Sequence, residues 1–179
     1  HSARQTLDAL KLHSDNTNYH LLLCISPKFI GGAMVFVRAW LLDCHLKVLP
    51  PTTDFHPIKE NLDLTSLVPL QVEKLLSNPH LIPRFKSVLI GGAPIAPHLE
   101  FQIMDLLGND HNWYATYGMT ETASHIALRK LGKDHFEATG DVQFELDDRN
   151  CLQIIGSITQ NKPLLTNDIV ELIDSKKFR

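Results

Sequence analysis

The segment from Trp113 to Thr122 holds the residue types with the clearest chemical potential in this chain. It reads Trp-Tyr-Ala-Thr-Tyr-Gly-Met-Thr-Glu-Thr, so an apolar stretch leads into a glycine, a hydroxyl and a carboxylate. The ring of Tyr117 could stack on a nucleotide base. The Thr120 hydroxyl could donate to a phosphate oxygen, and the Glu121 carboxylate is an oxygen ligand of the kind that Mg²⁺ prefers. The spacing suits a nucleotide site, and it suits equally well a helix with Thr120 as its N-cap.

Two glycine pairs follow apolar runs elsewhere in the chain. Ile-Gly-Gly-Ala occurs at 30–33 and again at 90–93, where Pro94 comes next. Four shared residues with different flanks do not indicate a repeat architecture. We interpret both pairs as strand ends at which the backbone needs the freedom of glycine or must let another group approach closely.

Several common site motifs are absent from the sequence. It contains no Gly-x-Ser-x-Gly, no Gly-x-Gly-x-x-Gly and no Walker-type phosphate loop, which removes the usual sequence basis for a hydrolase, Rossmann or P-loop site. Its ten histidines do not fall at metal-ligand spacings. We therefore interpret the histidines as solvated or hydrogen-bonded side chains.

Composition is typical of a soluble globular protein of roughly one domain. The chain has 179 residues, 44% hydrophobic and 21% charged, with a net charge of −3. A negative net charge does not indicate the basic surface that nucleic-acid binding requires. The longest apolar stretch, 30–42, is too short for a membrane span and contains Arg38. Three scattered cysteines indicate a reducing compartment, so we expect a cytoplasmic protein with neither nucleic-acid nor membrane partners.

The apolar patterns predict an α/β chain with a mostly parallel sheet and flanking helices. Strands are predicted at 19–26, 45–49, 86–90 and 113–117, and helices at 33–42, 71–76 and 97–107. Shorter strands are predicted at 142–146, 151–155 and 169–173. The change of pattern predicts a boundary between an α/β portion, 1–135, and a small β-rich subdomain, 136–179.

The motif at 117–121 resembles the Tyr-Gly-x-Thr-Glu motif of the adenylate-forming, or AMP-binding, superfamily. Gly-Gly-Ala-Pro at 91–94 resembles the turn that precedes it in that superfamily, and Thr-Asn-Asp at 166–168 resembles its Thr-Gly-Asp motif with asparagine in place of glycine. Asparagine tolerates a left-handed turn, so the replacement is mild. Thr-Gly-Asp also occurs literally at 139–141, but a polar, turn-rich stretch follows it, and we prefer Asp168 to Asp141.

The resemblance implies part of the large N-terminal domain of an adenylate-forming enzyme, with ATP or AMP, Mg²⁺ and CoA as its cofactors. It implies nucleotide contacts from Gly91, Gly92, Ala93, Pro94, Tyr117, Gly118, Met119, Thr120 and Asp168. The Asp168 carboxylate would accept hydrogen bonds from the ribose hydroxyls. Thr120 and Glu121 would be catalytic, and Glu121 would hold the Mg²⁺.

A narrower resemblance, carried by 116–129, 68–71 and 166–172, is to the o-succinylbenzoate–CoA ligases of menaquinone (vitamin K2) synthesis. It implies that o-succinylbenzoate is activated as acyl-AMP and transferred to CoA. Because that acid is an aromatic dicarboxylate, its pocket should hold a cation or donors for the carboxylate that does not react. Arg38, alone in an apolar run, is our prediction for that cation, unless it snorkels at the helix edge. Gln71, Ser124 and His125 are further predicted pocket residues.

Superfamily members also carry a Ser/Thr/Gly-rich loop ending in lysine and a mobile C-terminal domain with a second lysine. Neither is found in this sequence, so we expect a piece of a larger enzyme, weak in binding and negligible in turnover. Open sheet edges could make it a homodimer. Three alternatives stay open: another carboxylate–CoA ligase of the superfamily, a non-catalytic nucleotide-binding module, and a flavodoxin-like domain in which the motif is a coincidence.

Overall fold

The computed structural model describes residues 1–15, 18–108 and 110–179, and nine strands within these ranges form one central sheet. In spatial order they are β11 (Leu172–Asp174), β12 (Lys177–Phe178), β7 (Phe136–Ala138), β6 (Ser124–Lys130), β5 (Asn112–Met119), β4 (Phe85–Ile90), β3 (Leu62–Leu67), β1 (His20–Leu23) and β2 (His45–Val48). The strands from β2 to β5 pair in parallel, and β6, β7, β12 and β11 continue the sheet with antiparallel pairing.

Helices cover both faces of the parallel strands. On one face lie α1 (Ser2–Ala9) and α2 (Ile30–Leu42); on the other lie α3 (Pro69–Leu76), a 3-10 helix (Pro79–Arg84) and α4 (Pro97–Leu107). Successive side chains of a strand point to opposite faces. In β4, Val88 therefore packs in the core beneath α3 and α4, whereas Leu89 packs in the core beneath α1 and α2. Burial on both faces explains why these strands are almost continuously apolar in sequence.

A second, antiparallel sheet follows, made of β8 (Gln143–Leu146), β9 (Cys151–Ile155) and β10 (Leu164–Ile169). Its inner side forms a third core with the antiparallel strands of the large sheet. That core contains Phe144 and Ile154 from the small sheet and Ile126 and Phe178 from the large one. The two sheets are thus joined by shared apolar packing.

The predicted α/β class, with its mostly parallel sheet and small β portion, is confirmed. The predicted single strand at 169–173 is wrong: β10 ends at Ile169 in the small sheet, and β11 begins at Leu172 in the large one. The chain changes sheets between them, because Glu171 pairs through its backbone with Arg179, at 2.7 and 2.9 Å. Segment 136–179 likewise contributes to both sheets, so the predicted boundary after 135 does not separate one sheet from the other.

The helix predicted at 33–42 begins earlier, at Ile30, and the one predicted at 71–76 begins at Pro69. Helix α1 and strands β3, β6, β7 and β12 were not predicted. The three cysteines are free. In the described ranges, no helix has the length and apolar character that a bilayer crossing requires.

Candidate functional site

A cavity of about 470 Å³ opens at the carboxyl edge of the parallel strands, on the face covered by α1 and α2. The ends of β3, β4 and β5 supply Ser66, Gly91 and Thr116 to its wall, and the loop after β1 supplies Ser26. Ligands of open α/β sheets bind outside the carboxyl ends of the strands. The cavity therefore lies where this architecture places a binding site.

The start of α2 forms another part of the wall through a close backbone approach. A Cβ at Gly32 would lie 2.4 Å from the carbonyl oxygen of Ser26, which is less than any real contact allows. Helix α2 can therefore pack against the loop after β1 only with glycine at this position. The close approach predicted for the glycine pair at 31–32 is observed at Gly32, but the strand end predicted there is wrong, because both glycines lie in the first turn of α2.

A three-residue 3-10 turn, Thr120–Thr122, joins β5 to β6. No α-helix begins at Thr120, so the N-cap alternative is wrong. The Thr122 hydroxyl, fully buried, accepts the N–H of Met119 at 3.0 Å and donates to the carbonyl of Ser124 at 2.7 Å. Thr122 thus fixes the turn from inside, a role that the sequence did not reveal.

Gly118 lets the two strands meet beneath this turn. A Cβ there would lie 2.3 Å from the Cα of His125, at the register shift between β5 and β6. Because that contact is with backbone, no side chain could move aside to relieve it. Gly118 therefore brings His125 against the end of β5.

Thr120 and Glu121 stand exposed at the tip of the turn, and Thr120 lines the cavity. The Glu121 carboxylate has no hydrogen bond or ion pair with any other residue that the structure describes. Among all the residues that the structure describes, no three or more His, Cys, Asp or Glu side chains are grouped so that they could hold a metal ion. Mg²⁺ commonly takes one or two carboxylates and completes its shell with phosphate and water oxygens, and a lone accessible glutamate fits that habit.

Tyr117 and Asp168 meet outside the cavity lining, next in the chain to Gly118, which is part of that lining. The tyrosine hydroxyl donates to Oδ2 of Asp168 at 2.5 Å, and the ring centroid lies 5.0 Å from that of Phe178. Burial raises the pKa of Tyr117, and the hydrogen bond to Asp168 raises it further. Thr166 holds the irregular stretch of β10 that carries Asp168, because its hydroxyl accepts the Asp168 N–H at 3.1 Å. Asp168 itself remains exposed.

Asp141, the aspartate of the literal Thr-Gly-Asp match, lies in a different setting. Its carboxylate accepts from Nε2 of Gln5 and from the N–H of Ser157, each at 2.8 Å. It braces α1 against the end of β9. The structure thus brings Asp168, and not Asp141, next to the tyrosine of the motif.

Arg38 of α2 is the most unusual charge in the molecule. Only 1% of it is exposed, yet it lines the cavity and has no carboxylate partner among the residues that the structure describes. Nη2 lies 3.5 Å from the Thr6 hydroxyl, and Nε has no hydrogen-bond partner within 1–15, 18–108 and 110–179. Burial lowers the pKa of Arg38 to about 10. The snorkelling alternative is wrong, because the guanidinium points inward.

His125 and Ser124 of β6 also line the cavity. Nε2 of His125 lies 2.8 Å from the hydroxyl of Thr6, on α1. Burial, and then the charge of Arg38, lower the pKa of His125 to about 3, so the imidazole is neutral near pH 7. Thr6 is a site residue that the sequence did not suggest, since the helix carrying it was not predicted.

Gln71 does not reach the cavity wall. Its amide donates to the carbonyls of Cys24 at 2.9 Å and Thr52 at 2.7 Å, and its oxygen accepts the N–H of Val68 at 3.0 Å. These bonds tie α3 to the end of β1, so no observed contact supports the predicted pocket role. Ala93 and Pro94 are exposed beyond Gly92, outside the cavity lining, and their nucleotide contacts stay predictions.

Fold and site together define an α/β domain with a cavity at the carboxyl edge of a parallel sheet, beside a hydroxyl–carboxylate turn. Residues 2–171 match the family of AMP-binding enzymes. The chain belongs to that family.

Individual relatives agree with this assignment. The crystal structure of an acyl-CoA synthetase (AMP-forming)/AMP-acid ligase II-like protein from Dyadobacter fermentans is 33% identical and superimposes with a TM-score of 0.87, over 99% of this chain and 51% of that protein. A 2-succinylbenzoate–CoA ligase of Enterococcus faecalis is 29% identical over 150 residues, which is 79% of this chain and 30% of the relative. O-succinylbenzoate coenzyme A synthetase from Bacillus subtilis, in complex with ATP and magnesium, shares the fold at a TM-score of 0.80 and 17% identity, over 99% of this chain and 43% of that protein. The chain thus spans about half or less of the length of these relatives.

Proposed function

We propose that this chain carries the adenylate- and acid-binding half of the active site of an ATP-dependent acid–CoA ligase. The complete enzyme would activate a carboxylate with Mg·ATP as an acyl-adenylate, release pyrophosphate, and pass the acyl group to the thiol of CoA. Forming the adenylate divides one difficult acyl transfer into two easier steps. Membership of the AMP-binding family and the exposed Thr120–Glu121 turn at the cavity support this proposal.

We further propose that the acid is o-succinylbenzoate. The observation that carries this proposal is Arg38, a buried guanidinium that lines the cavity and has no carboxylate partner in the described part of the chain. A buried charge is strongly unfavourable until it is paired, so the cavity favours a ligand that brings an anion to this place. A dicarboxylate can offer one carboxylate to Arg38 and the other to the reaction. The Enterococcus relative named as a 2-succinylbenzoate–CoA ligase supports the same acid.

The remaining roles follow from position and chemistry. Asp168, held by the Tyr117 hydroxyl and exposed on its other side, would accept hydrogen bonds from the ribose hydroxyls. Thr120 would donate to the α-phosphate, and Glu121 would hold Mg²⁺, which supplies positive charge to the phosphate oxygens when bound.

Titration calorimetry with a non-hydrolysable o-succinylbenzoyl-adenylate analogue tests this proposal. We expect the chain to bind it, and we expect Asp168→Ala to weaken binding by about 1–3 kcal/mol through loss of the ribose hydrogen bonds. Asp105→Ala is the matched control, because Asp105 is exposed on α4, on the face opposite the cavity, and its loss should leave the affinity unchanged. If the folded chain gives no binding heat, or if the two alanine variants lose affinity equally, the assignment of this site is wrong.

A further inference from the structure

The Thr6 hydroxyl is a junction between two cavity residues and its own helix. It lies 3.5 Å from Nη2 of Arg38, 2.8 Å from Nε2 of His125 and 3.1 Å from the carbonyl oxygen of Ser2. The Ser2 hydroxyl in turn donates to the backbone carbonyl of His125, at 3.4 Å. Helix α1 therefore docks on β6 through the polar groups that adjoin the cavity.

These contacts favour one placement of the protons. A threonine hydroxyl has one hydrogen to donate and two lone pairs to accept with, a guanidinium can only donate, and a carbonyl can only accept. If Thr6 donates to Ser2, it can accept from both Arg38 and His125, and all three bonds are made. His125 is then the Nε2–H tautomer. Its Nδ1 carries a lone pair that has no hydrogen-bond partner among the described residues, in a ring that lines the cavity.

From this arrangement we propose that Thr6 is a positioning residue that holds His125 as the Nε2–H tautomer. When a carboxylate binds at Arg38 and His125, the imidazole of His125 then takes up one proton at Nδ1. This inference rests on the proposed function, because it assumes that a carboxylate of the substrate enters this part of the cavity. The proton comes from solvent, forms the Nδ1–H bond when the ligand binds, and returns to solvent when the ligand leaves.

Electrostatics gives the reason for the uptake. A carboxylate beside the bare Nδ1 lone pair is repelled, whereas a protonated ring gives it a charge-assisted hydrogen bond. In the free protein, burial and the charge of Arg38 hold the pKa of His125 at about 3. An arriving carboxylate offsets the field of Arg38 and solvates the imidazolium, and both effects raise the pKa of His125.

Of the groups around and including His125, only His125 itself can take up a proton when the ligand binds near neutral pH. Helix α1 presents the hydroxyls of Ser2 and Thr6, β5 presents the backbone of Gly118, and α2 presents Arg38, the charged group whose field acts on the imidazole. The pKa of Arg38, though lowered by burial, is about 10, so Arg38 stays protonated between about pH 6 and 8. Uptake in that range therefore belongs to His125.

A matched pair of ligands separates this inference from simple anion binding. The first is the adenylate analogue named above, with its non-reacting carboxylate intact; the second carries a primary amide in place of that carboxylate. The amide oxygen can accept from Arg38 while its N–H donates to the Nδ1 lone pair. The amide should therefore bind to neutral His125 without any proton.

The experiment is calorimetry of both analogues in buffers of different ionisation enthalpy, from about pH 6 to 8. For the carboxylate we expect uptake approaching about one proton at the lower pH, and an affinity that falls toward tenfold per pH unit as pH rises. For the amide we expect neither. His125→Gln should abolish the uptake while the carboxylate still binds. Thr6→Val should lower the uptake, because the freed ring can offer the neutral Nδ1–H tautomer instead, whereas Thr6→Ser should preserve it.

Binding of the carboxylate analogue without proton uptake, or uptake that persists in His125→Gln, overturns this inference and leaves the proposed function standing. If Thr6→Val does not fold, which circular dichroism would reveal, the His125→Gln comparison decides the proton site, and Thr6→Ala, which also removes the hydroxyl, takes the place of the valine variant beside Thr6→Ser. If the folded chain binds neither analogue, the proposed substrate is wrong and this inference fails with it.

Discussion

Arg38 raises a question of stability as well as one of recognition. The guanidinium is almost fully buried. Among the residues that the structure describes, its Nε has no partner, and its hydrogen bond to Thr6 is long at 3.5 Å. Removing a charge from water without a counter-charge costs several kcal/mol. Such a residue weakens the empty domain, so its presence needs a reason other than folding. Pairing with a ligand anion is that reason in the site we propose.

Arg38→Met should therefore separate stability from binding. Methionine keeps the apolar stem of the side chain and removes the unpaired charge, so we expect the free energy of unfolding in urea to rise by about 1–4 kcal/mol. The adenylate analogue should lose most of its affinity for the same variant. Arg129→Met is the matched control: that arginine is paired with Glu100, and its loss should destabilise the fold. A clear loss of stability in Arg38→Met would mean that Arg38 holds the structure rather than a ligand.

At the scale of elements, an ion pair between Glu100 and Arg129 joins α4 to β6 on the face opposite the cavity. Nη1 and Nη2 of Arg129 donate to the two oxygens of Glu100 at 2.7 and 2.8 Å, and the N–H of Gly132 donates to the same carboxylate. Each side chain is only 17% exposed, so water screens the pair weakly. Hydrogen bonding from Arg129, and then from Gly132, lowers the pKa of Glu100 below its ordinary value.

The Glu100–Arg129 ion pair should make the free energy of unfolding depend on pH. Because the pKa of Glu100 is lower in the folded chain than in the unfolded one, its contribution is present above the unfolded pKa of about 4.3 and is lost as pH falls through the folded pKa. A double-mutant cycle of Glu100→Gln and Arg129→Met, measured by urea unfolding, should give a coupling energy of about 1–3 kcal/mol at neutral pH. We expect the coupling to vanish in acid. A coupling that is independent of pH would mean that packing, not charge, joins the two elements.

How far the sequence could predict the molecule depends on how local each signal was. Strands β4 and β5 and helix α4 carry long apolar patterns with glycine or proline at their ends, and they were predicted. Strands β7 and β12 have three and two residues, too few for a pattern, and exist because distant strands pair with them. Helix α1 buries two hydroxyl residues, Ser2 and Thr6, beside Ala3 and Leu7, so it has too few apolar residues to stand out in the sequence.

The features of the candidate site likewise fall into those that the sequence could predict and those that depend on how distant elements pack. The Tyr117–Asp168 pair spans 51 residues of sequence, and only the resemblance to a known family linked its two members in advance. The Thr6–His125 contact spans 119 residues and depends on how α1 docks, which no local pattern encodes. The burial of Arg38 could be anticipated from its apolar neighbours. The absence of a counter-charge could be seen only once the elements were packed together.

At the scale of the whole molecule, an aromatic cluster joins the two sheets. The ring of Phe178 lies 4.9 Å from that of Phe144 in the small sheet, and 5.0 and 5.3 Å from those of Tyr117 and Phe136 in the large sheet. Nζ of Lys176 adds a hydrogen bond to the carbonyl of Val142, at 2.6 Å. Since Asp168 stands on the small sheet and Tyr117 on the large one, this cluster sets their relative position.

Phe178→Ala should therefore loosen the junction between the sheets and the Tyr117–Asp168 pair together. Phe178 is 3% exposed, so truncating it leaves a cavity and should cost about 3–5 kcal/mol of unfolding free energy. Phe101→Ala, at a position 74% exposed on α4, is the matched control and should change stability by less than about 0.5 kcal/mol. Hydrogen exchange should show protection lost first in β8, β9 and β10, while β1, β3 and β4 keep theirs. If protection falls evenly across both sheets, they unfold as one cooperative unit, and the aromatic cluster is part of a single core rather than a joint between two.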